Sequence, residues 1–178
     1  MSRCIAICSI GPVEKGILES IAKQISSRFG FICEISKEME VPEHAYNVER
    51  CQYDSRVILK RLIKSCKDDT RLLAVTQVDI YVPILKYVYG LAEIGRRCSL
   101  ISLHRLYPEF YDQQSNPALL LDRAEKTAIH ELGHTLGLTH CRYKHCVMYS
   151  STSIENTDFK NPDFCPTCFE LFKWYLER

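Results

Sequence analysis

Four of the chain's six histidines lie within residues 130 to 145, and two cysteines stand among them, in the stretch "IHELGHTLGLTHCRYKHCVMYS". His130 and His134 are four apart. On a helix four residues advance about 400°, so both imidazoles leave one face about one turn apart, the spacing that lets two rings share one metal ion. Glu131 lies about 100° further round. It flanks such an ion without binding it, and its carboxylate is placed to take a proton from a water on the metal; this is the HExxH arrangement. Gly137 follows three residues after His134, where a helix has to stop and the chain to turn, and glycine reaches the left-handed conformation that such a stop uses. His140 comes three residues later and is returned toward the same ion. The string HELGHTLGLTH fits HExxHxxGxxH throughout. Three neutral histidines leave the fourth position of tetrahedral zinc open to water, the mark of a catalytic site. The chemistry implied is hydrolysis of a peptide or similar amide bond, with Glu131 as general base.

Cys141 follows the third histidine directly, Cys146 lies five residues on, and Cys165 with Cys168 forms the knuckle "CPTC". Two such pairs separated by residues 147 to 164 suit a closed four-thiolate structural zinc site. Three other uses of these residues stay open at this level: a redox dithiol at CPTC, His145 in place of one thiolate, and disulfide pairing. Because Cys141 adjoins His140, two ions bound here would be mechanically linked. Met148 stands two residues after Cys146. An HExxHxxGxxH string with a methionine downstream is the metzincin pattern, in which the methionine sits in a turn beneath the histidines. Tyr149, beside it, is a candidate to reach a reacting carbonyl.

HELGHTLGLTHCRYKHCVM followed by CPTC resembles the archaemetzincins, metzincins with four cysteines woven into the zinc motif. The resemblance covers residues 130 to 168. It implies a metzincin-like domain: a twisted, mixed, mostly parallel sheet with backing helices, an active-site helix and a small zinc-stapled C-terminal subdomain. It also implies two zinc ions per chain. One is catalytic, on His130, His134 and His140 with Glu131 as base. The other is structural, on Cys141, Cys146, Cys165 and Cys168, with Met148 as the Met-turn.

The elements that must position these residues are legible in outline. "RCIAICSI" (3 to 10) and "FICEIS" (31 to 36) read as strands. Between them Val13, Ile17, Ile21, Ile25 and Phe29 form one helical stripe, with Gly30 where a C-cap belongs. Residues 37 to 53 read as a loop. Asp54-Ser55 caps a helix "RVILKRLIKSC" whose apolar positions are Val57, Leu59, Leu62 and Ile63. "RLLAVTQVDIYV" (71 to 82), "YVYGLAEI" and "RRCSLISLHRL" read as three further strands, with Gly90 and Gly95 at a tight connection or bulge. A turn-rich loop (107 to 117) precedes a helix from about Leu119 to Leu136, and "FELFKWYLE" closes the chain as a short helix. Strands alternating with helices, then strand after strand, predict an α+β domain of α/β-like character. It comprises residues 1–178, with an N-terminal part (1–139) and a C-terminal part (140–178).

Composition bounds the function. The 178 residues carry 23 basic and 22 acidic side chains, a formal charge of +1, which offers no electrostatic footprint for nucleic acid or an anionic membrane. No apolar run is long enough to span a bilayer, and no signal-peptide layout is read at the start. Ten cysteines fall below the density of a disulfide scaffold. The six outside the quartet, Cys4, Cys8, Cys33, Cys51, Cys66 and Cys98, read as small buried hydrophobes. A cytoplasmic protein acting on a peptide or protein substrate, with a monomer favoured, is expected. The rival reading is a zinc-stabilised module that binds peptide or protein with little hydrolysis. An aminopeptidase would need an acidic anchor, for which Glu109 and Asp112 are candidates, and the loops 107 to 117 and 150 to 163 are placed to cover the cleft.

Overall fold

The chain's hydrophobic alternation builds a five-stranded sheet with helices on both faces. The computed structural model describes residues 4–66 and 70–177. Arg3, expected at the head of the first strand, lies outside them. The elements run β1 (Cys4–Ile10), α1 (Lys15–Phe29), β2 (Ile32–Ile35), β3 (Tyr46–Asn47), β4 (Gln52–Asp54), α2 (Ser55–Ser65), β5 (Arg71–Thr76) and β6 (Ile80–Tyr81). Then come β7 (Gly90–Ala92), β8 (Cys98–Ser102), α3 (Pro117–Thr135), α4 (Ile154–Phe159) and α5 (Pro166–Leu176). The large sheet has the order β2-β1-β5-β8-β7, all parallel except β7, which runs antiparallel on one edge. This is the mixed, mostly parallel sheet expected.

Side chains leave a strand on alternate faces, and here each face has its own core. Ile5, Ile7, Leu73, Val75 and Ile101 pack with α1, α3 and Phe172 of α5. Cys8, Ile10, Leu72, Ala74 and Leu100 pack with Ile58, Leu59 and Leu62 of α2. In α1 the buried stripe is Ile17, Leu18, Ile21 and Ile25. Gly30 ends it at φ 68° with its N–H on the Ser26 carbonyl. Asp54 caps α2, its carboxylate accepting the Arg56 N–H at 2.9 Å.

The structure departs from the sequence reading at five places. The apolar run 71–82 is two strands in two sheets. Asp79 sits between them, and accepts from Arg105 at 2.8 Å through both oxygens and from Gln52 at 2.9 Å. That polar anchor turns the chain, and β6 joins β3 and β4 in a second, three-stranded sheet. The loop 37 to 53 therefore contains two short strands. On α2 the inward residue is Ile58, while Ile63 is 40 % exposed. A six-residue helix, α4, lies where no periodicity announces it. Among the scattered cysteines Cys8 and Cys98 are buried as expected, but Cys51 is exposed, at φ 52°.

Candidate metal centre and catalytic cleft

Helix α3 carries the motif and is held from both sides. Asn116 caps it through the Leu119 N–H, and Pro117 takes the first helical position, where no N–H is needed. From Arg123 to Thr135 every residue is buried. Arg123, almost fully buried, holds both carboxylate oxygens of Asp158 at 2.7 Å and the Leu106 carbonyl at 3.0 Å, fastening α3 to the end of α4. Arg28 bridges Glu125 at 2.7 Å and Asp163 at 2.6 Å, joining α1, α3 and the loop before α5.

The helix stops as its glycine requires. Gly137 has φ 94°; its N–H reaches the His134 carbonyl at 2.9 Å, and the Leu138 N–H reaches that of Gly133 at 3.0 Å. These two bonds make a Schellman motif. A side chain at 137 would also meet the Tyr175 ring at 2.8 Å. The reversal returns His140 to the helix. Its ring centroid lies 5.3 Å from that of His130 and 5.0 Å from that of His134, and one ligand nitrogen from each ring falls within 4.8 Å of the other two.

The ring orientations are fixed by carbonyls. His130 Nδ1 is 2.8 Å from the Val147 oxygen and His134 Nδ1 is 2.8 Å from the Leu138 oxygen. A carbonyl only accepts, so each Nδ1 carries the proton and each Nε2 presents a lone pair. Those two Nε2 atoms face each other at 3.2 Å. Two lone pairs so placed repel unless a cation lies between them. Nitrogens on one tetrahedral zinc stand about 3.3 Å apart, so the donor set fits that ion. Burial lowers the proton affinity of all three imidazoles, which keeps them in the neutral form a metal needs.

Glu131 is 6 % exposed, and burial pushes its carboxyl up to about 8, against the pull of Lys160. It fits because residue 90 has no side chain: a Cβ there would stand 2.6 to 2.8 Å from the Glu131 Cγ, Cδ and Oε1. Glu131 and the three histidines open on a cleft of about 760 Å³. One wall is the segment 82–94, including edge strand β7; the other is Ser150 to Thr152 with Thr157 and Lys160. Lys160 is 3 % exposed, donates to the Tyr149 carbonyl at 3.1 Å, and is lowered by burial to about 8.

The four cysteines of the quartet also converge, their sulfurs within 4.8 Å of one another. Cys141 and Cys165 are 3.8 Å apart through sulfur, far beyond a disulfide bond and close to the separation of two thiolates on one tetrahedral zinc. Backbone N–H groups of Tyr143 and Cys165 point at the sulfurs of Cys141 and Cys146, at 3.4 and 3.3 Å. Cys165 and Cys168 occupy the start of α5, where the helix dipole favours thiolate. Met148 is fully buried against Gly133 of the motif helix.

Other candidates fall elsewhere. His145 packs at a tilt against Phe159 and Tyr143, outside the quartet. Tyr149 does not line the cleft with its ring; what it brings is its carbonyl. Glu109 and Asp112 are exposed and lie outside the lining, as does the whole loop 107 to 117, whose Tyr111 hydroxyl instead bonds the Arg105 carbonyl. The loop 150 to 163 does flank the cleft. Lys160 and the segment 82–94 are the parts of the site that the sequence reading missed; neither carries a local motif.

A family model for peptidase family M54 matches residues 18–174. The chain belongs to peptidase family M54. The archaemetzincin of Methanocaldococcus jannaschii is 44 % identical over 166 residues, 93 % of this chain and 90 % of that protein. That of Pyrococcus furiosus is 38 % identical, covering 100 % of this chain and 96 % of that one. Among solved structures, the Methanopyrus kandleri archaemetzincin superposes with a TM-score of 0.86 at 34 % identity, over 99 % of this chain and 97 % of that one. A zinc-dependent peptidase from Methanocorpusculum labreanum gives 0.87 at 26 % identity, over 94 % and 99 %. The likeness to these proteins thus covers nearly the whole chain, and the resemblance drawn from residues 130 to 168 extends over the full domain.

Proposed function

We propose that this zinc metallopeptidase works through His130, His134 and His140 as ligands and Glu131 as general base. Zinc held by the three imidazoles supplies a Lewis acid that polarises the substrate carbonyl and acidifies a water. The Glu131 carboxylate, on the lining of the same cleft and shielded from bulk solvent, takes a proton from the attacking water. It then delivers that proton to the departing amine. The Val147 and Leu138 carbonyls hold the two helix imidazoles in the ligating tautomer. β7 is a sheet edge beside the histidines, and its outward backbone groups suit an extended peptide added as a further strand. The substrate is accordingly a peptide or protein chain.

The observation that carries this reading is the pair of Nδ1–carbonyl bonds, which aims two unprotonated nitrogens at one point. The binding-module alternative gives no role to a buried Glu131 that ligates nothing. The aminopeptidase alternative loses its anchor, since Glu109 and Asp112 are off the cleft. Cys141, Cys146, Cys165 and Cys168 are assigned a second, structural zinc, and Met148 the role of a metzincin Met-turn. The chain then divides at 139/140 into a part bearing the motif helix and a C-terminal part stapled by the second ion. One chain supplies both ligand sets, which favours a monomer, and the cytoplasm, where thiols stay reduced, is the setting retained for it. No described helix is long and apolar enough to cross a membrane. The test is Glu131→Gln. It should retain both zinc ions by elemental analysis and lose about 10²- to 10⁴-fold in kcat on a blocked peptide. Activity equal to wild type would remove Glu131 from the reaction.

A further inference from the structure

The cleft holds polar donors that the reaction leaves unused. Lys160 has three ammonium hydrogens, and the Tyr149 carbonyl takes one. Thr157, three residues earlier across the end of α4, is 1 % exposed, and its hydroxyl is buried with no hydrogen-bond partner among the described residues. The buried hydroxyl of Ser151 is in the same state. Buried polar atoms without partners are uncommon in folded proteins and point to a missing partner. All three residues line the cleft that Glu131 and the histidines line. The only carboxylate in that lining is Glu131, while Lys86 and Lys160 are both cationic, so the walls are poor in acid and supplied with donors.

We infer that Ser151, Thr157 and Lys160 form a subsite for a substrate carboxylate, so that this peptidase selects peptides carrying an acidic group near the bond it cuts. A carboxylate offers two oxygens and about four acceptor positions. One ammonium and two hydroxyls are a matching set, and the charged partner makes the bonds strong. A neutral amide in the same place offers one acceptor oxygen instead of two and brings no charge to the ammonium. The inference deepens the peptidase reading and rests on it. The carboxylate has two possible sources, an Asp or Glu side chain or the peptide's own C-terminus, and the experiment separates them.

Blocked heptapeptides are prepared with a single Glu at each position in turn, each paired with its Gln counterpart, and a further pair differs only in a free or amidated C-terminus. Two quantities are measured: kcat/KM with the zinc-loaded enzyme, and equilibrium affinity for the zinc-loaded Glu131→Gln variant, which binds without turnover. At one position Glu should exceed Gln by about tenfold or more in both quantities. Preference for the free acid over the amide instead assigns the subsite to a terminal carboxylate. In Lys160→Met, and in the double variant Ser151→Ala/Thr157→Val, the ratio should fall toward 1, with melting temperature and zinc content showing that each is folded. Equal treatment of every pair by wild type overturns the subsite, whether or not any variant folds. A ratio that survives intact in folded Lys160→Met overturns it too. Failure of the peptidase reading looks different: no Gln peptide is cut in a Glu131-dependent way, while the affinity measurement still reports on the subsite.

Discussion

Gly133 sits inside the motif helix, where alanine would ordinarily be the better residue, and the reason it is absent can be tested. In a helix interior, glycine to alanine is worth about 1 kcal/mol of stability. Here a Cβ at 133 would strike the Met148 sulfur, lie 3.1 Å from its Cε and reach Leu138 Cδ1 at 3.5 Å. Met148 has little room to withdraw. It is fully buried, its carbonyl accepts the Cys141 N–H at 2.9 Å, and the carbonyl before it is spent on His130. Overpacking of a closed core costs about 1–3 kcal/mol. The expected balance for Gly133→Ala is a net loss of about 1 kcal/mol, the clash outweighing the propensity gain. With Met148→Ala as background the obstruction is gone, and the same substitution should stabilise by about 1 kcal/mol. Urea unfolding of the four proteins, at one fixed zinc concentration because bound metal shifts apparent stability, gives the double-mutant cycle. The coupling should be about 2 kcal/mol, with the effect of Gly133→Ala changing sign between backgrounds. Gly133→Ala that stabilises the parent protein, or that costs the same in both backgrounds, would refute the packing of Met148 beneath the motif.

Three further outcomes are expected. Gly90→Ala places a methyl 2.6 to 2.8 Å from the Glu131 side chain; kcat should fall about 10- to 100-fold as the base is displaced, with zinc retained, and an unchanged kcat would show that Glu131 has slack. Cys165→Ala breaks the thiolate quartet, which neighbours His140 and, through Cys146-Val147, His130. The zinc left on the histidines should bind about 10- to 100-fold more weakly in chelator competition, and an unaltered affinity would uncouple the two sites. Asp79 concerns acid stability. Burial would raise its carboxyl, but the Arg105 and Gln52 hydrogen bonds hold it below the usual carboxylate range. A depressed folded pKa means the contribution is complete above about pH 4 and is lost as pH falls through the folded value. Asp79→Asn should therefore lower the urea midpoint at pH 6 and matter progressively less as the pH is taken below about 4; an effect that does not shrink with acid would assign the loss to shape rather than charge.

How far the chain announces all this depends on the range over which each feature is encoded. The motif helix is local: spacing of four sets two rings on one face, and Gly137 marks the stop that brings back the third. The quartet is nearly local, two short pairs whose sulfurs meet once Cys165 caps α5. The mixed sheet with packed helices follows from short apolar strands that first alternate with helices and then follow one another, and β1, α1 and β8 lie where periodicity puts them. Local reading fails where a polar tertiary contact overrides an apolar run. Residues 71 to 82 look like one strand because Asp79 is a single interruption, and only its pairing with Arg105, distant in sequence, makes it a corner. Gly90 is visibly unusual in a strand, yet its cause is the Glu131 side chain 41 residues away, which no pattern around position 90 reveals. Lys160 is hidden in the same way. In "TDFKNPD" it resembles any surface lysine, and its burial is decided by Arg123 drawing Asp158 onto α3.

The consecutive residues Cys146, Val147 and Met148 explain why a segment so short of apolar residues keeps a fixed shape. One gives its sulfur to the quartet, the next gives its carbonyl to His130, and the third fills the space that Gly133 leaves. The Val147 N–H is itself held by the Asp163 carbonyl at 3.0 Å, so the turn is pinned to the segment before α5 as well. No one of these contacts is strong enough to order a loop. Because they fall on successive residues, moving any of them moves the other two. On the proposed assignment this makes the thiolate site part of the catalytic one. A shift of Cys146 by even half an ångström would be transmitted through one peptide unit to the imidazole it orients. On that assignment the cysteines inserted in the motif would replace, with one ion, the packing that a larger C-terminal core supplies.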